Sequence, residues 1–216
     1  MKKLLLFAAT VALAACGKEQ SIPDGSQFGA HPNLPNPVMN LIPDVHIPTV
    51  VGWKPGELPT VPAGFTIAPV ASDLANPRRI LPLPNGDILV VDTNKIAPEP
   101  VARPKDVIMG FLFSQAHGSG GPERESNQII LLRDTNGDGK ADSEKVLIDK
   151  LNAPFGIGYS NGQLYIAETD ALLAYPFTPG QTAIAGPPRK IVDLPAGPIN
   201  HHWTKDLAIS PDGSKI

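Results

Sequence analysis

Residues 77–93 read PRRILPLPNGDILVVDT, and this stretch decides the fold. A short apolar segment runs into an Asn-Gly turn, and a second apolar segment with alternating side chains follows it. Asn-Gly between two such segments is a strong β-hairpin signal, because both turn residues accept a positive φ. The pattern returns as APFGIGYSNGQLYIAETD at residues 153–170 and begins again as TKDLAISPDGSKI at residues 204–216. The sequence therefore repeats one hairpin unit.

The spacing of these units predicts an all-β propeller. The turn glycines Gly86, Gly162 and Gly213 are 76 and 51 residues apart. The second spacing fits a four-stranded blade of about 40–50 residues, and the first fits a blade with an insertion at residues 94–127. The intervening apolar segments supply the remaining strands of two blades, in the order A to D; they read QIILLRD, KVLIDKL, LLAYPF and RKIVDL. The alternative is a smaller β-sandwich.

By this count the chain holds two blades and the start of a third. A propeller closes with about four to eight blades, so we expect an N-terminal fragment of a longer protein. Such a fragment would be inactive by itself, since an open propeller exposes unpaired strand edges.

The composition agrees with a β-rich fold. The chain has 216 residues, with 25 Pro and 20 Gly, and this content excludes a helical bundle because Pro breaks helices. Hydrophobic residues at 42% are enough for a core. A net charge of −3 offers no basic surface for nucleic acid, so we expect no nucleic-acid partner.

Residues 1–16 have the pattern of a lipoprotein signal peptide. Two lysines precede an apolar run of about 11 residues, and such a run is too short to span a bilayer. The run ends in Leu-Ala-Ala-Cys, the form of a lipobox, so we expect lipidation of Cys16, the single cysteine. Gly17, rather than Asp, follows the cysteine. This favours a lipid anchor on the periplasmic side of the outer membrane; the alternative is an ordinary signal peptide with an incidental cysteine.

Residues 17–69 form a Pro-rich tether between this signal and the propeller, which we place at residues 70–216. The tether is expected to be extended and semi-rigid, without helix or central strand. It also carries apolar residues, including Trp53, so part of it is expected to pack against the domain.

The loop DTNGDGKADSEK at residues 134–145 has the spacing of an EF-hand calcium loop. Oxygen ligands stand at positions 1, 3, 5, 7 and 9, and a glycine stands at position 6, where the loop turns sharply. These ligands are Asp134, Asn136, Asp138, the carbonyl of Lys140, and Asp142. However, position 12 is Lys145 instead of the bidentate Glu. The loop therefore predicts either a structural Ca²⁺ site or a solvated hairpin loop with Asx turns.

Other polar residues flank the predicted inner strands. His201 and His202 precede the third unit, where a histidine could act as a general base or could simply pack in a turn. Asp92 and Glu168 each end a strand B, and could line a channel or accept hydrogen bonds from a turn. The pair at residues 78–79, Arg-Arg, could reach an anionic ligand or bridge carboxylates between blades.

Four segments together resemble the sorbosone dehydrogenase family, relatives of the soluble quinoprotein glucose dehydrogenases. They are LANPRRILPLPNGDILVVDT, ILLRDTNGDGKAD, LNAPFGIGYSNGQLYIAETDALLAYPF and DLPAGPINHHWTKDLAISPDGSKI, and the match covers about residues 62–216. The resemblance implies a six-bladed β-propeller. It also implies a periplasmic enzyme that uses pyrroloquinoline quinone (PQQ), assisted by Ca²⁺, to oxidise a sugar at its anomeric carbon.

The resemblance also implies roles for particular residues. The base that removes the hydroxyl proton falls on His202, with His201 as the alternative, and Asn152 falls where the family makes a polar contact to the active site. The family's basic residues for the PQQ carboxylates come mostly from later blades. We therefore expect an aldose or sorbosone-like sugar as substrate and leave the electron acceptor open. The alternatives are a non-catalytic, lipid-anchored propeller that binds carbohydrate or protein, and a gluconolactonase-like hydrolase.

Overall fold

The computed structural model describes residues 23, 25–34, 36, 53–94, 101, 103–115, 126–197, 200 and 202–216. The chain divides into two compact units, residues 1–48 and 49–216. In the first unit, the described residues form turns, and a hydrogen bond of 2.7 Å joins the backbone N–H of Asn33 to the carbonyl of Ser26. The predicted signal peptide and Cys16 lie outside the described residues.

The second unit contains two four-stranded antiparallel sheets. The first sheet has the order β1-β2-β3-β4 and the second the order β5-β6-β7-β8, so each is a simple meander. The strands are β1 Pro77–Pro82, β2 Ile88–Asp92, β3 Gln128–Arg133, β4 Ser143–Ile148, β5 Gly156–Ser160, β6 Gln163–Ala167, β7 Ala171–Pro176 and β8 Arg189–Asp193. A helix, α1 (Pro104–Gln115), lies in the predicted insertion between β2 and β3. The predicted order of strands A to D is confirmed in both sheets.

The hairpin turns follow two different chemistries. Asn161 and Gly162 both have positive φ, 51° and 72°, and they form a two-residue turn between β5 and β6. At the other two turns only the glycines, Gly86 and Gly213, have positive φ, of 89° and 70°. The prediction that both turn residues need positive φ was wrong there. The reason is that a proline two residues before each glycine sets up a type I turn, in which the left-handed position comes last.

One hydrophobic core joins the two sheets. Buried apolar side chains from alternating positions of both sheets form a single cluster, as the period-two pattern predicts. Its members are Leu83, Leu89, Val91, Ile129, Leu131, Leu147, Leu151, Ile157, Leu164, Ile166, Tyr175 and Phe177. The first strands, β1 and β5, also contact each other. Two meanders that pack face to face with their first strands adjacent have the arrangement of neighbouring propeller blades. Closure into a six-bladed propeller stays a prediction.

The outer face of the first sheet is covered by the chain that leads into it. Val90, Ile130 and Leu132 form a second small cluster, and Ala71 and Leu74 pack against it. Residues 53–76 contain no helix or strand, as expected for the Pro-rich tether. The side chain of Trp53 is 68% exposed, so the expected packing does not come from this residue.

An ion pair within the first sheet holds Arg133, which also reaches the second sheet. The carboxylate of Asp87 is buried and accepts two hydrogen bonds from the Arg133 guanidinium, both of 2.7 Å. Arg133 also donates to the carbonyl of Gly180, which follows β7, at 3.1 Å. The Arg133 guanidinium holds the pKa of the Asp87 carboxyl below its usual range.

The third repeat packs on the outer face of the second sheet. The backbone N–H of Gly156 donates to the carbonyl of Lys205 at 2.9 Å. The turn of this repeat is closed by a 3.0 Å hydrogen bond from the N–H of Ser210 to the carbonyl of Lys215. No strand is assigned in residues 202–216, in contrast to the prediction, because the segment makes no ladder of backbone hydrogen bonds.

Gly156 leaves the space that this packing needs, and its replacement tests the contact. A Cβ at Gly156 would lie 2.7 Å from the nitrogen of Leu207 and 2.9 Å from the carbonyl oxygen of Lys205. We expect Gly156→Ala to lower the free energy of unfolding by about 1–3 kcal/mol, since backbone atoms must move apart. Urea denaturation measures the change.

Gly186→Ala is the matched control, because a Cβ at Gly186 meets nothing within 4 Å. Equal urea midpoints for the two variants would show that the third repeat does not pack closely on β5.

Candidate functional site

The two sheets share an end at which the predicted site residues gather. Because the strands are antiparallel, the starts of β1 and β5 lie at the same end as the ends of β2 and β6. We call this the proximal end. The opposite end, which carries the β1–β2 turn and the β3–β4 loop, is the distal end. The six residues of β3 separate the two ends by about 17–20 Å.

A buried carboxylate closes the proximal end of the first sheet. Asp92, whose exposed fraction is 1%, accepts a short hydrogen bond from the backbone N–H of Asn76. The carbonyl of Asn76 in turn accepts from the N–H of Thr93 at 3.1 Å. Asp92 also accepts from the Gln128 side chain at 3.2 Å. Together these bonds fix the backbone immediately before β1.

The second sheet repeats this closure with a glutamate. Glu168 accepts a hydrogen bond of 2.8 Å from the backbone N–H of Asn152, and the sequence separation is 16 residues, as in the first sheet. The carbonyl of Asn152 accepts from the N–H of Thr169 at 3.0 Å. The hypothesis that the two acidic residues accept hydrogen bonds from turns is therefore confirmed.

The surroundings of Glu168 change the pKa of its carboxyl. Burial raises the pKa of its carboxyl, because the charged form loses solvation in the protein interior. The N–H of Asn152 opposes this rise in pKa, and the nearby negative charge of Asp170 adds to it. Ionised Glu168 therefore costs stability at neutral pH, even though it anchors the turn.

The third repeat brings His202 to the same end. The Thr169 hydroxyl donates to the carbonyl of Trp203 at 2.9 Å, directly beside the turn that contains Asn152. The ammonium of Lys205 donates to the carbonyl of His202 at 3.1 Å. His202 itself is exposed. Thr169 thus links the segments of Asn152 and His202, while His201 lies outside the described residues.

The two arginines at the start of β1 have different partners. Arg79 forms an ion pair of 3.3 Å with Asp206 and so connects the first repeat to the third. This agrees with the prediction that the arginines bridge carboxylates between blades. The Arg78 guanidinium lies over the rings of Trp203 and Phe155, at 5.4 Å and 6.0 Å from their centroids. Sequence reasoning missed this cluster. The available signal was that all three residues stand in the segments that lead into the repeats.

The proximal end carries charged groups of both signs. Arg79 is paired with Asp206, and the ammonium of Lys205 donates to the carbonyl of His202. PQQ is a flat quinone with three carboxylates, and an ammonium or an amide N–H can bind a carboxylate. Asn152 and Lys205 are the residues that could hold it.

The predicted calcium loop lies at the distal end. Both oxygens of Asp134 accept backbone N–H groups, from Gly137 at 2.7 Å and Gly139 at 2.8 Å. The carboxylate of Asp142 accepts from the N–H and the hydroxyl of Thr135, both at 2.6 Å. These bonds lower the pKa of both carboxyls, led by the Gly139 N–H at Asp134 and the Thr135 hydroxyl at Asp142. Both acids are therefore ionised at neutral pH.

The described part of the chain contains no arrangement of three or more His, Cys, Asp or Glu side chains suited to hold a metal ion. None of its helices has the length and hydropathy to cross a membrane.

Three solved structures are similar in shape, at low sequence identity. The PQQ domain of a pyranose dehydrogenase from Coprinopsis cinerea, in its holo form, gives a TM-score of 0.49 at 21% identity, over 71% of this chain and 29% of that chain. A carbohydrate-active enzyme of family AA12 from Trichoderma reesei gives 0.44 at 18% identity in its iodide structure, over 66% and 29% of the two chains. Its calcium structure gives 0.41 at 19% identity, over 66% and 28%.

The chain thus spans less than a third of the length of each of these structures. No protein-family model matches the sequence. A comparison with curated proteins finds no significant match.

The raised pKa of Glu168 generates a test of its anchoring role. Gln at this position keeps an oxygen that can accept the Asn152 N–H, but it carries no charge to desolvate. Below the unfolded-state pKa, near 4.5, the carboxyl is neutral in both states. As pH rises past that value, the unfolded state releases its proton first, and the folded state loses relative stability. We therefore expect Glu168→Gln to be more stable than the wild type at about pH 7, and to show no gain at about pH 3.5.

Thermal unfolding at both pH values measures this difference, and Glu168→Ala is the comparison variant. It removes the acceptor altogether, so it should lose about 1–3 kcal/mol at either pH. A Glu168→Gln variant that is less stable than the wild type at neutral pH would contradict the conclusion that the buried charge of Glu168 lowers the stability of the fold.

Proposed function

We propose that the protein is a PQQ-dependent oxidoreductase that oxidises an aldose or a sorbosone-like sugar, with His202 as the base. The observation that carries this proposal is the meeting of the Asn152 and His202 segments at the proximal end, joined through Thr169. These are the two segments in which the sorbosone dehydrogenase resemblance expects active-site residues. The ordered set of motifs that carries the resemblance supports the same function.

The residues at the proximal end can each take a defined part in this reaction. His202 is exposed, and its imidazole would accept the proton of a sugar hydroxyl as a general base. Lys205 holds the carbonyl of His202, and so keeps a positive charge beside the base. Asn152, whose backbone is fixed by Glu168, would present its amide to the cofactor or the sugar. When bound, PQQ supplies the two-electron acceptor of the oxidation.

The hydrolase alternative depends on carboxylates in the channel that would bind a metal. Asp92 and Glu168 are the candidates for that role, and each already accepts a backbone N–H at a buried position. Turn closure therefore explains these two acids without a metal. This observation favours the oxidoreductase over the hydrolase.

The proposed location follows from the first residues of the chain. The lipobox that ends in Cys16 would place the protein on a lipid anchor at the periplasmic side of the outer membrane. The Pro-rich segment that follows would serve as a spacer between the membrane and the sheets.

A test of the proposed base uses the full-length protein with added PQQ and Ca²⁺. We expect the wild type to reduce an electron-accepting dye in the presence of an aldose, and His202→Ala to lose about 10²- to 10⁴-fold in turnover. PQQ binding, measured by titration, should be nearly unchanged in this variant. His31→Ala is the control, because His31 is an exposed histidine of the first unit.

Full activity of His202→Ala would show that His202 is not the general base. A wild-type protein that binds no PQQ would favour the non-catalytic, carbohydrate- or protein-binding alternative instead.

For the DTNGDGKAD loop we propose a structural Ca²⁺ site. Its support is the alternation of oxygen-bearing residues from Asp134 to Asp142, together with the sharp turns at Gly137 and Gly139, whose φ values are 76° and 85°. The loop lies at the distal end, about 17–20 Å from His202 by the length of the strands. Calcium bound there would stabilise the fold and take no part in the chemistry.

Calcium dependence of the melting temperature tests this site. A ligand that binds only the folded state raises the melting temperature, so Ca²⁺ should stabilise the wild type, and Asp134→Ala should abolish that response. Asp149→Ala is the control, because Asp149 is an exposed acid that pairs with Lys150 outside the loop. A calcium response that survives in Asp134→Ala, or is absent from the wild type, would argue for a plain hairpin loop.

A further inference from the structure

Arg78 joins three successive repeats at the proximal end. It belongs to β1 of the first sheet, Phe155 immediately precedes β5 of the second sheet, and Trp203 belongs to the third repeat. The guanidinium carbon lies 5.4 Å from the centroid of the Trp203 ring and 6.0 Å from that of Phe155. Both distances are within the range of a cation–π contact.

The segment at residues 202–206 is held by further contacts from both sheets. Arg79, next to Arg78, pairs with Asp206 at 3.3 Å. From the second sheet, Thr169 donates to the Trp203 carbonyl and Gly156 to the Lys205 carbonyl, both at 2.9 Å. The backbone hydrogen bonds fix the main chain, whereas Arg78 contacts the Trp203 side chain, next to His202.

We infer that Arg78 is a positioning residue for His202. Its guanidinium holds the Trp203 ring against the first and second sheets, and thereby sets the place from which the adjacent imidazole reaches the substrate. This inference rests on the proposed function, since it presumes that His202 is the base. In this role Arg78 does not need to contact the sugar or the cofactor.

The chemistry of the contact explains why an arginine stands at this position. A planar guanidinium stacks on aromatic faces and stays charged at all relevant pH values. A lysine ammonium keeps the charge, but it lacks the flat surface that can contact two rings. Because a base displaced by about 1 Å costs about 10²-fold in rate, a loose Trp203 would lower turnover without removing any reacting group.

The contact and its consequence can be measured separately in the full-length protein. Trp53 is replaced by Phe in all variants, so that Trp203 is the single tryptophan among residues 1–216, and emission is compared as the difference between variants in this background. In this background, Arg78→Gln should change the intensity and maximum of Trp203 emission, because the ring loses its cation. Arg78→Lys should lie between Arg78→Gln and the parent.

With PQQ, Ca²⁺ and an aldose present, Arg78→Gln should lose about 10- to 100-fold in kcat with little change in KM. Arg78→Lys should recover part of this loss. The matched control is Arg189→Gln, an exposed arginine of β8, which should leave both emission and kcat unchanged. Thermal unfolding confirms that every variant is folded, as expected for substitutions of exposed side chains.

Unchanged emission in Arg78→Gln would overturn the contact and the inference with it. Altered emission with unchanged kcat would also overturn the positioning role, but would leave the proposed oxidation standing. If the parent protein oxidises no sugar, the proposed function fails, and the role of Arg78 fails with it, even where the emission change confirms the contact.

Discussion

The hydrogen bond from a backbone N–H to a buried carboxylate 16 residues later is the constraint on which the proximal end depends. It occurs in both sheets, with Asp92 in one and Glu168 in the other. The acid stands at or directly after the end of the second strand, and the residue that it holds precedes the first strand, by one position in the first sheet and by four in the second. The bond therefore fixes the backbone that leads into the first strand of each sheet, and with it the position of the neighbouring side chains.

Different contacts are made at the two ends of the sheets. At the distal end, the Asp87–Arg133 pair and its bond to Gly180 lock one sheet to the other, and the oxygen-rich loop lies outside this lock. At the proximal end, Arg78 and Arg79 connect the first sheet to the third repeat. Contacts thus hold the repeats together at both ends, and His202 lies exposed at the proximal end.

Much of the fold could be read from local pattern, since β-hairpins depend on neighbouring residues. The order of the eight strands, the position of the insertion and the left-handed glycines were all predicted correctly. The prediction failed where Pro84 and Pro211 change the turn type, although both residues are visible in the sequence. It failed again at the third repeat, whose first segment forms no strand, because a strand requires a partner as well as a pattern.

The hairpins, the all-β class and the loop that begins at Asp134 could be predicted from the sequence, because they follow from residue type and short spacing, whereas His202 and Asn152 became candidates for the active site through the family resemblance. Only the tertiary structure decided what the buried acids do and which segments meet. The contact of Arg78 with Trp203 joins residues that are far apart in the chain. Such contacts depend on how two sheets and a third repeat pack together, and packing is set by shape and burial over the whole unit, which no local pattern encodes.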